Sequence, residues 1–249
     1  MMAVMLDSQL SQAKAHLQGD AQGAASQPGN ADAARYVVLR RLAPALKHDM
    51  VVNLQATAMM AEVMGARLDR GLSLDADLQK NLTRMNRLTR EAVAGCLAVA
   101  TWIEPADDET VDLAAGVQEC VAVLRSNFSF RGFDIAHDEV EPGFPVSRAI
   151  LRNHLVAAML YLSDAATAPC EVVISHSCTA AEVSITVRCG NTLDHAGSSP
   201  TQLQGLPIKW QDVHAMALED AVHSVLTSHQ IDMRLARMVV TRPLRITPV

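Results

Sequence analysis

The sequence predicts an α+β protein: a helical hairpin that pairs with a second copy into a four-helix bundle, followed by an α/β sandwich. Three observations carry this. Apolar residues make up 49% of the 249-residue chain but aromatics only 3%, so the core is built of Ala, Val, Leu and Met, and Ala and Leu favour helix. Two long stripes of apolar or small residues at three- and four-residue steps fill residues 35–104. Beyond residue 110, β-branched runs that alternate in polarity are interleaved with helical ones.

Taken in order, residues 1–34 contain "QGDAQGAASQPGNADAA", with little to bury, and are expected to form a flexible lead-in. The hairpin occupies 35–104. Its first stripe is Leu39, Leu42, Leu46, Met50, Leu54, Thr57, Ala61, Met64 and Leu68. Pro44 is placed to kink or restart that helix. Gly71 can end it and Ser73 can cap the next. The second stripe is Leu74, Leu78, Leu82, Met85, Thr89, Ala92, Cys96, Val99 and Ile103, stopping before Pro105. A two-helix hairpin with little nearby to cover its apolar face completes a core by dimerising.

The α/β domain occupies 110–249. A helix is expected over "VDLAAGVQECVAVLRSN", then a strand reached through a glycine in "FSFRGFDIAH". A second helix follows over "SRAILRNHLVAAMLYLSDAA", with Ser147 as its cap. "CEVVISHS" and "EVSITVRC" alternate around a short turn and read as a β-hairpin. Residues 190–212 read as loop, "ALEDAVHSVLTSHQ" as the last helix and "LARMVVTRPLRI" as the final strand. That order predicts helices on one face of a mixed sheet.

A net charge of −6 and a pI near 5.8 speak against nucleic acid as the main partner, since phosphate binding needs a basic face. Cys96, Cys120, Cys170, Cys178 and Cys189 are scattered without a CxxC pair, which speaks against a zinc site or a disulfide framework. With no signal-like start and no apolar run long enough to span a bilayer, a cytoplasmic protein without membrane attachment is expected.

His48 is the residue that carries chemistry. It lies two positions from Leu46 and from Met50, roughly 200° and 160° around the helix, and so points away from the apolar stripe. An exposed imidazole on a rigid helix offers a nucleophilic nitrogen, and the adjacent Asp49 can orient the ring or take its proton. By itself the dipeptide is equally a solvated surface pair, and it recurs at His137-Asp138. His176, His223 and His229 have spacings that fit no metal-ligand motif and read as structural or surface residues. Met50, Met59, Met60 and Met64 read as core at the dimer seam, and Trp102 and Trp210 as covers of domain edges.

The arrangement around His48, Asp49 and Leu54 resembles the dimerisation and phosphotransfer domain of two-component histidine kinases, a hairpin that dimerises with its phosphoacceptor histidine on the first helix. Asn53 stands where that family often has proline. Val52 stands where many members have the Thr or Asn linked to phosphatase action. From "VDLAAGVQECVAVLRSNFSFRGFDI" onward, element order resembles the family's ATP-binding domain. The family's N-x-x-x-N helix motif falls on Asn153 and Ala157 in one register. In a second, anchored by Leu151 and Asp164-Ala165-Ala166, it falls on Ala157 and Tyr161. Both lose the Asn that would hold Mg²⁺. Where the adenine-reading Asp of D-x-G-x-G belongs, the chain has Cys189-Gly190-Asn191-Thr192-Leu193. The glycine-rich lid is reduced to Gly197 and Gly205.

The resemblance therefore implies a degenerate ATPase-like domain with no cofactor of its own, and a histidine phosphotransferase. Such a protein relays a phosphoryl group between receiver-domain aspartates through His48, with Mg²⁺ only in the partner. Asp49 would orient the ring, and Lys47, Val51, Val52 and Gln55 would form the docking surface for the receiver. Two other readings stay open: a non-catalytic dimeric scaffold or inhibitor of a receiver or kinase, and a divergent ATP-dependent histidine kinase.

Overall fold

The structure, a computed structural model, describes residues 29–70, 76–104, 109–139, 143–191 and 206–238. Helix α1 (Gly29–Asp69) runs unbroken through Pro44, with Asp32 in its first turn, where a carboxylate complements the helix dipole. Helix α2 (Ala76–Ile103) packs back along it. The helix thus starts earlier than expected. Residues 29–34, assigned to the lead-in, belong to α1, and Ala31 and Ala34 are buried. Gly71 and Ser73 lie outside the described residues.

The α/β part opens with β1 (Thr110–Asp112), paired antiparallel with β3 (Pro145–Ser147). Asp112 ties this corner together. One carboxylate oxygen accepts from Ala114 N–H at the start of α3 (Leu113–Phe130), and the other accepts from Gly143 and Phe144. Gly132, at φ +80°, closes α3: its N–H donates to Ser129 and that of Phe133 to Phe128, the pattern that satisfies a helix's last carbonyls. Strand β2 (Asp134–His137) follows the glycine, as expected. Ser147 Oγ then accepts from Ile150 N–H to cap α4 (Arg148–Ala165).

Strands β4 (Glu171–Cys178) and β5 (Glu182–Cys189) form the expected hairpin. With β6 (His223–Leu226) and β7 (Gln230–Ala236) they complete a sheet of order β2-β4-β5-β7-β6, in which only β2–β4 is parallel. Val172, Ile174, Val183, Ile185, Val187, Ile231, Met233 and Leu235 are buried on one face, beneath α3, α4 and α5 (Trp210–Glu219). An α+β protein with helices followed by a mixed sheet is therefore what the chain forms.

The last helix departs from expectation. It covers 210–219, and residues 223–226, expected to be helical, form strand β6. Asp212 starts α5 by accepting the Lys209 N–H at 2.8 Å. Ala221 ends it in the left-handed region at φ 54°, turning the chain into β6. His223 therefore lies on a strand and His229 in the β6–β7 turn.

The first half of α1 lies across α3, α4 and α5 and is fastened by ion pairs. Arg35 reaches Glu219 and Asp220, each at 2.7 Å. The Arg41 guanidinium forks onto Asp164 at 2.6 and 2.9 Å, and Arg131 reaches the same carboxylate at 3.0 Å. All three of these side chains are buried, at 7%, 6% and 2% exposure for Arg41, Asp164 and Arg131. Removing one partner from such a cluster leaves buried charge uncompensated and typically costs about 3–5 kcal/mol. From α4, Arg152 donates to Thr101 at 3.0 Å and stacks 4.4 Å over Trp102, holding the end of α2.

Candidate functional site

His48 is exposed on α1, and among the described residues no side chain hydrogen-bonds or ion-pairs with it. Its position follows from helical phase. Seven residues, about two turns or roughly 10 Å, separate it from Arg41, which is ion-paired to Asp164 of the α/β domain. His48 therefore projects on the side of the stem where that domain sits, just past its edge. Asp49 belongs to the same turn of α1; its side chain lies outside the described residues.

The expected docking residues divide between two faces. Val52 and Gln55, one and two turns on from His48, share its side and are exposed. Lys47 and Val51 turn the other way, into a groove of roughly 410 Å³. Tyr36, Leu39, Ala43 and Met50 of α1 line that groove together with Val99 and Ile103 of α2.

The groove continues into an uncovered apolar face. Of the first stripe, Leu42, Leu46 and Met64 are buried, but Leu54 and Ala61 are exposed. Of the second, Ala92 and Val99 are buried, whereas Leu82 and Ile103 are exposed, joined by Val93 and Leu97. One turn-to-turn period thus serves two surfaces, one inside the hairpin and one outside it. Leu68 and Leu78 have side chains outside the described residues, and Leu74 lies outside them altogether.

Most of the described positions compared with a nucleotide site are buried. Along α4, Leu151, Arg152 and every residue from His154 to Ala165 are buried, Ala157 at 0% and Tyr161 at 5% exposure. The Tyr161 ring lies 6.0 Å from that of Trp210, so α4 and α5 meet directly. Asn153 is half-buried. Burial pushes the Cys189 thiol up to about 12, and its hydrogen bond with Cys170 adds to this. A neutral thiol thus stands at the position compared with the adenine-reading Asp. Asn191 donates to the carbonyls of Ala168 and Pro169. Thr192, Leu193, Gly197 and Gly205 lie outside the described residues.

The ion pairs that fix α1 are absent from the sequence reading, because Arg41 and Asp164 lie 123 residues apart and neither belongs to a motif. His154 is a further omission. It is fully buried, and its Nε2–H donates to Asp220 at 2.9 Å. Burial alone raises the Asp220 pKa, but the bond from His154 and the charge of Arg35 outweigh it and hold the carboxyl below its ordinary range.

No protein-family model matches the sequence, and no curated protein matches it. Solved structures similar to it include histidine kinases. A histidine kinase from Burkholderia phymatum STM815 aligns at 11% identity and TM-score 0.43, over 85% of this chain and 99% of that one. The Acinetobacter baumannii histidine kinase AdeS aligns at 11% identity and TM-score 0.42, over 76% and 98%. A structure described as a bacterial phosphotransferase aligns at 14% identity and TM-score 0.35, over 85% and 98%. At that level of identity and superposition the likeness assigns neither family nor activity. No helix among the described residues is long and apolar enough to cross a membrane.

Proposed function

We propose that the protein is a histidine phosphotransferase that carries a phosphoryl group on His48 between receiver-domain aspartates. The observation that supports this most is the exposed His48 imidazole, just past the domain's edge, on a helix fastened to the α/β domain by ion pairs. In the forward step, the lone pair of a neutral ring nitrogen attacks phosphorus of the partner's aspartyl phosphate in line. The N–P bond forms as the acyl P–O bond breaks, and the partner's carboxylate departs with the electron pair. The proton on the other ring nitrogen passes to Asp49 or to solvent. Positioning provides most of the catalysis, and Mg²⁺ belongs to the receiver. Ala157, Tyr161 and Cys189 bear on the ATP question: no amide or carboxylate oxygen stands at those positions to hold a hard cation.

The working unit is a homodimer. The face formed by Leu54, Ala61, Leu82, Val93, Leu97 and the groove beside Tyr36 is long, apolar and uncovered in one protomer, and a second hairpin completes it as a four-helix bundle.

The test uses a receiver domain labelled on its aspartate with radioactive acetyl phosphate. Label moves to the wild-type chain and not to His48→Ala. Stable binding without transfer indicates a scaffold instead, and labelling of His48 from ATP and Mg²⁺ alone indicates a kinase.

A further inference from the structure

We propose that Cys170 and Cys189 form a peroxide-reactive thiol pair, in which the half-exposed Cys170 is oxidised first and the buried Cys189 then closes an intramolecular disulfide. Sheet register brings the two together. Cys189, the last residue of β5, pairs with Val172 of β4. Cross-strand partners share a face, and so do side chains two residues apart along a strand. Cys170 is therefore the diagonal neighbour of Cys189 on the core side of the sheet. The two segments stay side by side beyond the ladder. Gly190 N–H donates to the Glu171 carbonyl at 3.1 Å, and the Asn191 side chain donates to the carbonyls of Ala168 and Pro169 at 3.0 and 3.1 Å. The thiols themselves are hydrogen-bonded. Cys170 also precedes the first residue of β4, so closing the bond adjusts a strand end and leaves the ladder intact.

The surroundings of the two thiols differ, and the difference assigns their roles. Cys189 belongs to the core, and a buried thiol held neutral is a poor first nucleophile towards peroxide. Cys170 packs against the core on one side only, and its neighbours Ala168, Pro169 and Gly190 are exposed. A Cβ at Gly190 would lie 3.7 Å from that of Cys170, so the glycine leaves this side of the thiol open to a small oxidant. Cys120 is fully buried, which pushes its thiol up to about 12 as well. Cys178 stands eight residues along β4, roughly 26 Å away, at the opposite end of the hairpin.

The chemistry balances with a hydroperoxide as oxidant. The Cys170 sulfur, having lost its proton, attacks the terminal peroxide oxygen. The S–O bond forms as the O–O bond breaks, and the alkoxide or hydroxide leaves and takes up the proton. Cys170 is then a sulfenic acid with an electrophilic sulfur. Cys189 attacks that sulfur: the S–S bond forms, the S–O bond breaks, and hydroxide leaves with the Cys189 proton as water. Two thiols lose two electrons, and the peroxide is reduced to an alcohol, or to water, plus one water. Contact between the sulfurs offsets the small thiolate fraction of Cys189 in the second step. A dithiol reductant reverses the bond. The site is independent of phosphoryl transfer at His48.

The experiment treats the folded, reduced full-length chain with a modest excess of hydrogen peroxide and reads intact mass and a non-reducing tryptic digest. Expected are the loss of two hydrogens, restored by dithiothreitol, and a disulfide joining peptide 153–188 to peptide 189–209. The first peptide also carries Cys178, so the digest is repeated in Cys178→Ser, where the link should persist. In Cys189→Ser no disulfide should form, and dimedone should capture Cys170 as its sulfenic acid. Cys170→Ser should lower the yield of disulfide at Cys189 at least about tenfold. An intact mass unchanged by peroxide overturns the pair. So does a link from Cys189 to Cys178, a disulfide formed only between chains, or one that appears only after urea has unfolded the protein.

Discussion

Asp220 is the residue on which the attachment of α1 to α5 turns. It joins Arg35 on α1 to the buried His154 on α4, and its carboxyl is held below the ordinary range. A depressed folded-state pKa contributes stability that is present above the unfolded value, about 4, and is lost as pH falls through the lower folded value. Asp220→Asn should therefore lower the melting temperature at pH 7. The difference from wild type should narrow steadily below about pH 4, as thermal melts across pH would show. An equal deficit at pH 7 and pH 3 would remove the ionised carboxylate from the account. His48 presents the opposite situation: nothing described holds it, so its replacement should leave stability alone and act only on phosphoryl flow.

At the scale of the element, the clearest departure from sequence expectation lies at the end of α5. "ALEDAVHSVLTSHQ" has helical spacing at Leu218, Val222 and Val225, and a local reading extends the helix through all of it. Ala221 in the left-handed region overrides that reading, and Val222 N–H folds back onto the Ala217 carbonyl. An L-residue with a Cβ carries a penalty of roughly 1–2 kcal/mol there. Ala221→Gly is therefore expected to stabilise the protein by up to about 1 kcal/mol in chemical denaturation, after glycine's greater unfolded-state freedom is offset. A destabilising outcome would show that the turn does not hold this conformation. Helix α1 teaches the complementary lesson. Pro44 marks no break, because tertiary contacts at Leu42 and Leu46 on either side hold the helix in register.

For the whole molecule, the uncovered stripe on the hairpin makes oligomeric state the decisive measurement. Leu97 is 65% exposed at its centre. Leu97→Glu places a charge in the seam of the proposed bundle and should convert a dimer to a monomer in sedimentation, with the helical content of each chain largely retained. A wild-type chain that sediments as a monomer at tens of micromolar would leave that stripe without its occupant.

The sequence by itself determined the two helices, the β4–β5 hairpin, the cap at Ser147, and the outward direction of His48. Each is local: a period of 3.6 or 2, or a side chain bonding a backbone group a few residues away, is written in adjacent residues. Only the tertiary structure decided that the first half of α1 is bolted across α3, α4 and α5, and that Lys47 and Val51 turn from His48 into a groove. Those facts depend on which distant surfaces meet. An ion pair such as Arg41–Asp164 leaves no periodic trace in the chain, because its energy comes from burial and geometry that exist only once the fold has formed.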